Sequence, residues 1–151
     1  DLHDLVERAI DELRATHQGR EINLDAPPRC TASGDPHRLI QLFSNLIGNA
    51  IVHATPGTPV TVRVVPSERE AIVEFHNAGV IPSERLPMLF EPFRPQRTRA
   101  AGLGLGLFIS QQIARAHDGA IDVTSNESAG TTFSVHIPRD RADTRTATAT
   151  T

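Results

Sequence analysis

The run from Asp35 to about Ala54 most constrains the fold. Leu39, Ile40, Leu42, Phe43, Leu46, Ile47, Ala50, Ile51 and Ala54 make it apolar nearly all round. Asp35 as N-cap and Pro36 at the first helical position start a helix, and Thr55-Pro56-Gly57 stops it. A helix apolar on most sides must be covered on most sides. Yet Gln41, Asn45, Asn49 and His53 recur at i, i+4, i+8 and i+12 as one polar stripe. A buried amide without a partner costs about 1–3 kcal/mol. The stripe therefore predicts either an internal hydrogen-bond network or a ligand site, where an Asn carbonyl is available to a hard cation such as Mg2+.

The elements around this helix set the fold class. Leu2, Leu5, Val6, Ala9, Ile10 and Leu13 give an amphipathic helix over 1–17. Glu21 to Leu24 reads as a short strand. Pro59 to Val65 and Ala71 to His76 read as a hairpin, and so do Ala120 to Ser125 and Thr131 to Ile137. A helix from about Leu107 to His117, closed by Gly119, lies between the hairpins. The order predicts an α+β two-layer sandwich. Its mixed, largely antiparallel sheet is covered on one face by about three helices. Residues 77–101 form a long irregular stretch holding four of the eleven prolines, as expected of a functional lid. From 139 to 151 the Thr/Ala-repetitive chain reads as a disordered tail.

Composition narrows the function classes. The 151 residues fit one domain, and 15 basic against 18 acidic residues give a net charge of −3, which argues against a nucleic-acid arm. No apolar run approaches the roughly 20 residues needed to cross a bilayer, and no signal peptide is visible. With one cysteine, Cys30, neither a disulfide framework nor a multi-cysteine zinc site is expected. The six Phe, without Trp or Tyr, do not suit base stacking. A cytoplasmic domain with no nucleic-acid and no direct membrane contact is the expectation.

Four further features carry chemistry. Gly102-Leu103-Gly104-Leu105-Gly106 precedes an apolar helix, where glycines let backbone approach an anion and the helix N-terminus offers free N–H groups. The spacing fits neither a Rossmann nor a Walker A loop, and a flexible hinge is the plain alternative. Asn77-Ala78-Gly79-Val80-Ile81-Pro82 is either a turn or an amide at a strand end aimed into a pocket. Phe90 and Phe93 suit an anchor for their loop. Arg94, Arg97 and Arg99 suit a polyphosphate or a solvated face.

In this order the segments resemble the ATP-binding catalytic domain of bacterial sensor histidine kinases, a superfamily shared with gyrase, mismatch-repair ATPases and a heat-shock chaperone. The resemblance covers residues 1–138. Asn45-Leu46-Ile47-Gly48-Asn49-Ala50 matches the N box, and 77–82 the first glycine box. Phe90-Glu91-Pro92-Phe93 matches the F box, Gly102 to Leu107 the second glycine box, and Gly130-Thr131-Thr132-Phe133 the last glycine motif. The resemblance implies a Bergerat-type fold with ATP and Mg2+ as cofactors. Asn49 would be the metal ligand and Asn45 a second amide near the phosphates, with His53 beside the nucleotide. Asn77 would accept from the adenine amino group where the family usually has Asp. Gly79 and Ile81 would shape the adenine pocket, with Thr132 behind it. Gly102, Leu103, Gly104, Leu105, Gly106 and Leu107 would hold the phosphates under a lid at 83–101 bearing Arg94, Arg97 and Arg99.

Three departures stand out. The first glycine box lacks its second Gly, in a form similar to that of some phytochrome-type sensor kinases. Val52 replaces a frequent Lys or Arg, so phosphate charge must come from the lid. No phosphoacceptor hairpin is visible, and His3 lacks the context expected around an acceptor. Hydrolytic relatives carry a water-activating Glu four residues before the metal-binding Asn. Here that residue is Asn45, and an amide is no general base. The implied activity is phosphoryl transfer, with Asn45 and Arg97 as catalytic residues, to a His on a dimerisation domain of the same parent. A response regulator acts downstream, and the parent can be a membrane-anchored sensor. The alternatives are a degenerate nucleotide-binding or interaction module of the same fold and an anti-sigma-type Ser kinase.

Overall fold

A computed structural model describes residues 1–92 and 105–139. Three helices, α1 (Leu2–Thr16), α2 (Pro36–His53) and α3 (Gly106–Ala116), pack on one five-stranded sheet. The strands are β1 (Ile22–Asp25), β2 (Val60–Pro66), β3 (Glu70–Asn77), β4 (Ala120–Asn126) and β5 (Gly130–Pro138). Their spatial order is β1-β2-β3-β5-β4, with β1 and β2 parallel and every other pair antiparallel. The expected two-layer α+β architecture is what the chain adopts.

Alternation along the strands explains the layering. Val62 pairs with Phe75, Phe75 with Phe133, and Phe133 with Val123. Val60, Val62, Val64, Ala71, Val73, Phe75, Phe133, Val135 and Ile137 are buried on the helix side. Arg63, Glu74, Ser134 and Asp122 pair across the other face, which no described helix covers.

Asp35 caps α2 through its side chain, which accepts from the backbone N–H groups of His37 and Arg38. The helix then buries Leu39, Leu42, Phe43, Leu46, Ile47, Ala50 and Ile51. Phe43 meets Phe75 with ring centroids 5.9 Å apart. Burying each such side chain contributes about 1.5–3 kcal/mol.

His117 couples the start of α2 to the end of α3. Its Nε2 accepts from the Asp35 N–H at 3.0 Å. The proton therefore sits on Nδ1, which donates to the Ile113 carbonyl at 2.8 Å. At the end of α3 the left-handed residue is Asp118 (φ 55°) rather than Gly119. Glycine is required at 119 for a different reason: a Cβ there would run into the His136 carbonyl oxygen on β5. Among the described residues no helix is long and apolar enough to cross a membrane.

Residues 83–92 of the expected lid turn back through a short 3-10 helix at Leu86–Met88. They are anchored where Phe90 meets Phe133 edge-on at 6.3 Å. Phe93, Arg94, Arg97, Arg99, Gly102, Leu103 and Gly104 lie outside the described residues. The expected tail starts at 139, but Arg139 is tied down. Its Nε donates to the Thr31 carbonyl at 3.1 Å and its Nη1 to the Ser67 carbonyl at 3.0 Å. Residues 140–151 lie outside the described part.

Candidate functional site

The polar stripe of α2 is not a closed internal network. Gln41 is exposed and accepts from Arg38 at 3.4 Å. Asn45, half-buried, donates from Nδ2 to the Gly106 carbonyl at 3.4 Å. That bond sets the middle of α2 against the first residue of α3. Asn49, one turn further, is half-buried and bonds to no described residue through its side chain. His53 lies exposed at the end of the helix. Partial burial of its ring, first, and the Arg85 guanidinium, second, hold its pKa below the usual 6.5.

The start of α3 adds backbone donors to this corner. Leu105 occupies the N-cap position without a side-chain cap. The first backbone N–H groups of a helix have no partner within it, so Gly106 and Leu107 present free donors beside Asn45. The Gly106 carbonyl also accepts from Ser110 Oγ at 2.8 Å, which holds the first turn in shape.

The end of β3 builds the second wall. Asn77 is 1% exposed, and its Nδ2 donates to the His53 carbonyl at 3.3 Å. Gly79 packs onto the same carbonyl so closely that a Cβ would collide with it. The loop is then pinned by a directional chain. The Ile81 N–H donates to Ser125 Oγ, Ser125 to Thr131 Oγ1, and Thr131 to the Gly79 carbonyl, each at 2.8 Å. The ends settle the direction of the middle bond. Ile81 can only donate and the Gly79 carbonyl can only accept, so Ser125 must give its proton to Thr131. Every link is satisfied, which rigidifies such a network.

Thr132 does not stand on this wall. Side chains alternate along a strand. Thr131, 2% exposed, shares the helix face with Phe133, while Thr132 pairs with His76 and Thr124 on the uncovered face. The residue of this pair that reaches the Asn77–Gly79 wall is Thr131, through its bond to the Gly79 carbonyl. The signal was present in the chain, because Thr131 has the same parity as the apolar residues Phe133, Val135 and Ile137. Ser125 and Arg85 were also absent from the expected set, and only long-range contact reveals them.

The described residues thus set Asn45 against the start of α3 at one end, with Asn49 one turn along α2. His53, Asn77, Gly79 and Ile81 gather at the other, with α2 running between. No cluster of three or more His, Cys, Asp or Glu side chains suited to a metal occurs among the described residues. Of the two half-buried carboxamides here, Asn49 is the one whose oxygen, a ligand type open to a hard cation, lies on a side chain without a described hydrogen-bond partner.

Known proteins share both sequence and fold with this chain. It is 37% identical over 150 residues to a bacteriophytochrome of Pseudomonas aeruginosa, covering 95% of the chain and 20% of that protein. It is 33% identical over 144 residues to the sensor protein VanS of Enterococcus faecium, covering 91% of the chain and 37% of that protein. The chain thus spans well under half the length of these curated relatives. Its fold matches a solved structure of the mycobacterial sensor histidine kinase MprB. The TM-score is 0.82 at 25% identity, over 91% of this chain and 95% of the solved one. Residues 34–141 match the family described as histidine kinase-, DNA gyrase B-, and HSP90-like ATPase, and the chain belongs to that family.

Proposed function

We propose that this domain binds Mg-ATP and donates the γ-phosphoryl group to a histidine. The acceptor would lie on a separate dimerisation domain of the same parent, in two-component signalling with a response regulator downstream. The observation that carries the reading is the corner where α2 meets α3. Asn45 reaches Gly106 there, while Asn49, one turn away, has no described partner. Free helix-start amides beside two carboxamides form an anion site with an oxygen ligand for a cation.

In this reading Asn77 Oδ1 accepts from the adenine amino group, and Gly79, Ile81 and Thr131 shape the pocket. The first backbone amides of α3, at Leu105, Gly106 and Leu107, face the phosphates together with Gly102, Leu103 and Gly104. Asn49 supplies the oxygen ligand to Mg2+. His53 stands at the rim, where its lowered pKa favours an uncharged ring near neutral pH. Bound Mg2+ would offset charge on the phosphate oxygens. Arg94, Arg97 and Arg99 supply the side-chain positive charge that Val52 does not, and Arg97 is proposed to stabilise the transferring group.

Asn45 positions and cannot remove a proton from water, so hydrolysis is slow and an external nucleophile is needed. The nucleotide-binding unit is residues 1–138, working in the cytoplasm. The test is incubation with a His-bearing dimerisation domain and ATP labelled at the γ-phosphate. Acid-labile phosphate on that domain, and none on the isolated chain, is expected. Acid-stable phosphate would point to a Ser kinase and refute the reading.

A further inference from the structure

We propose that the backbone carbonyl of His53 locks the Asn77 amide in the one orientation that selects adenine over guanine. The inference rests on the nucleotide-binding reading above. A free Asn is an ambiguous reader of a purine. Its oxygen accepts from an amino group, as adenine carries at C6, and its NH2 donates to a keto oxygen, as guanine carries at C6. A carboxylate only accepts and has no such ambiguity. A chain with Asn at this position must remove the second option some other way.

The contacts supply that way. Asn77 is 1% exposed at the last position of β3. Its Nδ2 lies 3.3 Å from the carbonyl of His53, the last residue of α2. A helix leaves its final carbonyls without helical partners, so this oxygen needs a donor. Flipping the amide would set Oδ1 against the carbonyl, two acceptors face to face with no proton between. The NH2 group is therefore committed to the helix end, and no described residue bonds to Oδ1. Gly79 closes the far side. A Cβ there would run into the His53 carbonyl oxygen and lie 2.9 Å from Asn77 Nδ2, so the backbone at 79 packs directly against the bonded pair. His53 acts here as a positioning residue through its backbone, independently of its side chain.

The lock has a consequence opposite to intuition. Asn77→Asp installs the acid usual in the resembling family, yet it sets a carboxylate oxygen against the His53 carbonyl. It should weaken ATP binding.

The whole chain is titrated, with Mg2+ at pH 7.5, with ATP, GTP and the purine riboside triphosphate that lacks the C6 amino group. Wild type should bind ATP at least about tenfold more tightly than either analogue, and Asn77→Asp should bind ATP about tenfold more weakly than wild type, as expected for one buried hydrogen bond. Equal affinity for ATP and GTP, or unweakened ATP binding by Asn77→Asp, overturns the lock and leaves the nucleotide reading standing. Failure of all three nucleotides to bind wild type overturns both. A readout without nucleotide is side-chain amide exchange by NMR in the free protein. One Asn77 amide proton should exchange at least tenfold more slowly than those of exposed Asn126. Both protons exchanging at the Asn126 rate overturns the proposal even if Asn77→Asp fails to fold.

Discussion

Thr131→Val and Thr132→Val are adjacent, nearly isosteric changes for which the structure predicts opposite outcomes. Thr131 is 2% exposed, and its hydroxyl both donates to the Gly79 carbonyl and accepts from Ser125, at 2.8 Å each. Valine keeps the volume, so no cavity forms and the cost is the two orphaned groups. Each buried group left without a partner costs about 1–3 kcal/mol. Ser125 can rotate its proton elsewhere, which places the total at about 1.5–3 kcal/mol. For a domain of this size that corresponds to a fall in Tm of roughly 5–12 °C. Thr132 faces the uncovered side of the sheet, where a substitution of this kind costs within about 0.5 kcal/mol. Thermal unfolding of the three proteins, followed by circular dichroism, decides the matter, with ATP titration as a second readout. Thr131→Val should lose both stability and affinity, because the 79–81 loop loses one of its two pins. If Thr132→Val were the damaging change and Thr131→Val silent, the assignment of faces on β5 would be wrong.

Two glycines give contrasting predictions. Gly79→Ala drives a methyl into the His53 carbonyl and should cost about 1–3 kcal/mol by overpacking. Gly106→Ala meets nothing within 4 Å and should leave stability unchanged or raise it by about 0.5–1 kcal/mol. If Gly106→Ala still weakens ATP binding in titration calorimetry, the loss comes from the ligand side, as expected where phosphates approach the backbone. The His53 prediction concerns pH. Its pKa in the folded protein lies below the unfolded value of 6.5, so the unfolded state takes up the proton first. The stability contribution is present above pH 6.5, is lost as pH falls from 6.5 to the folded value, and then levels off. Urea unfolding of wild type and His53→Gln at pH 7.5 and 5.5 should show the variant losing less stability on acidification, and an equal loss would refute the assignment.

Local chemistry explains which parts of this fold were legible in the sequence. Asp35-Pro36 announces a helix start through a cap and a preset φ, and the start falls there. The β-branched alternation at 60–65 and 131–137 marks strands whose limits move by only a residue. The face that each strand residue takes depends on register, and a one-residue shift exchanges the faces. The family resemblance put Thr132 behind the expected pocket, although parity with Phe133, Val135 and Ile137 sets Thr131 on the helix face. The parallel pairing of β1 with β2 and the Asn77 bond to His53, 24 residues away in the chain, have no local signature. They follow only from packing. The stripe of α2 is an intermediate case: its spacing showed that Asn45, Asn49 and His53 share a face, but not that only Asn45 reaches a partner on α3.

The measurement that bears most directly on the central claim is calorimetric titration of the chain with ATP, with and without Mg2+, in wild type and Asn49→Ala. Wild type should bind ATP, and bind it more tightly with Mg2+. Asn49→Ala should lose the magnesium dependence while keeping its fold, because its side chain makes no hydrogen bond to a described residue that the change would break. Unchanged magnesium dependence in Asn49→Ala would contradict the metal assignment. No binding by wild type at millimolar ATP would contradict the account as a whole.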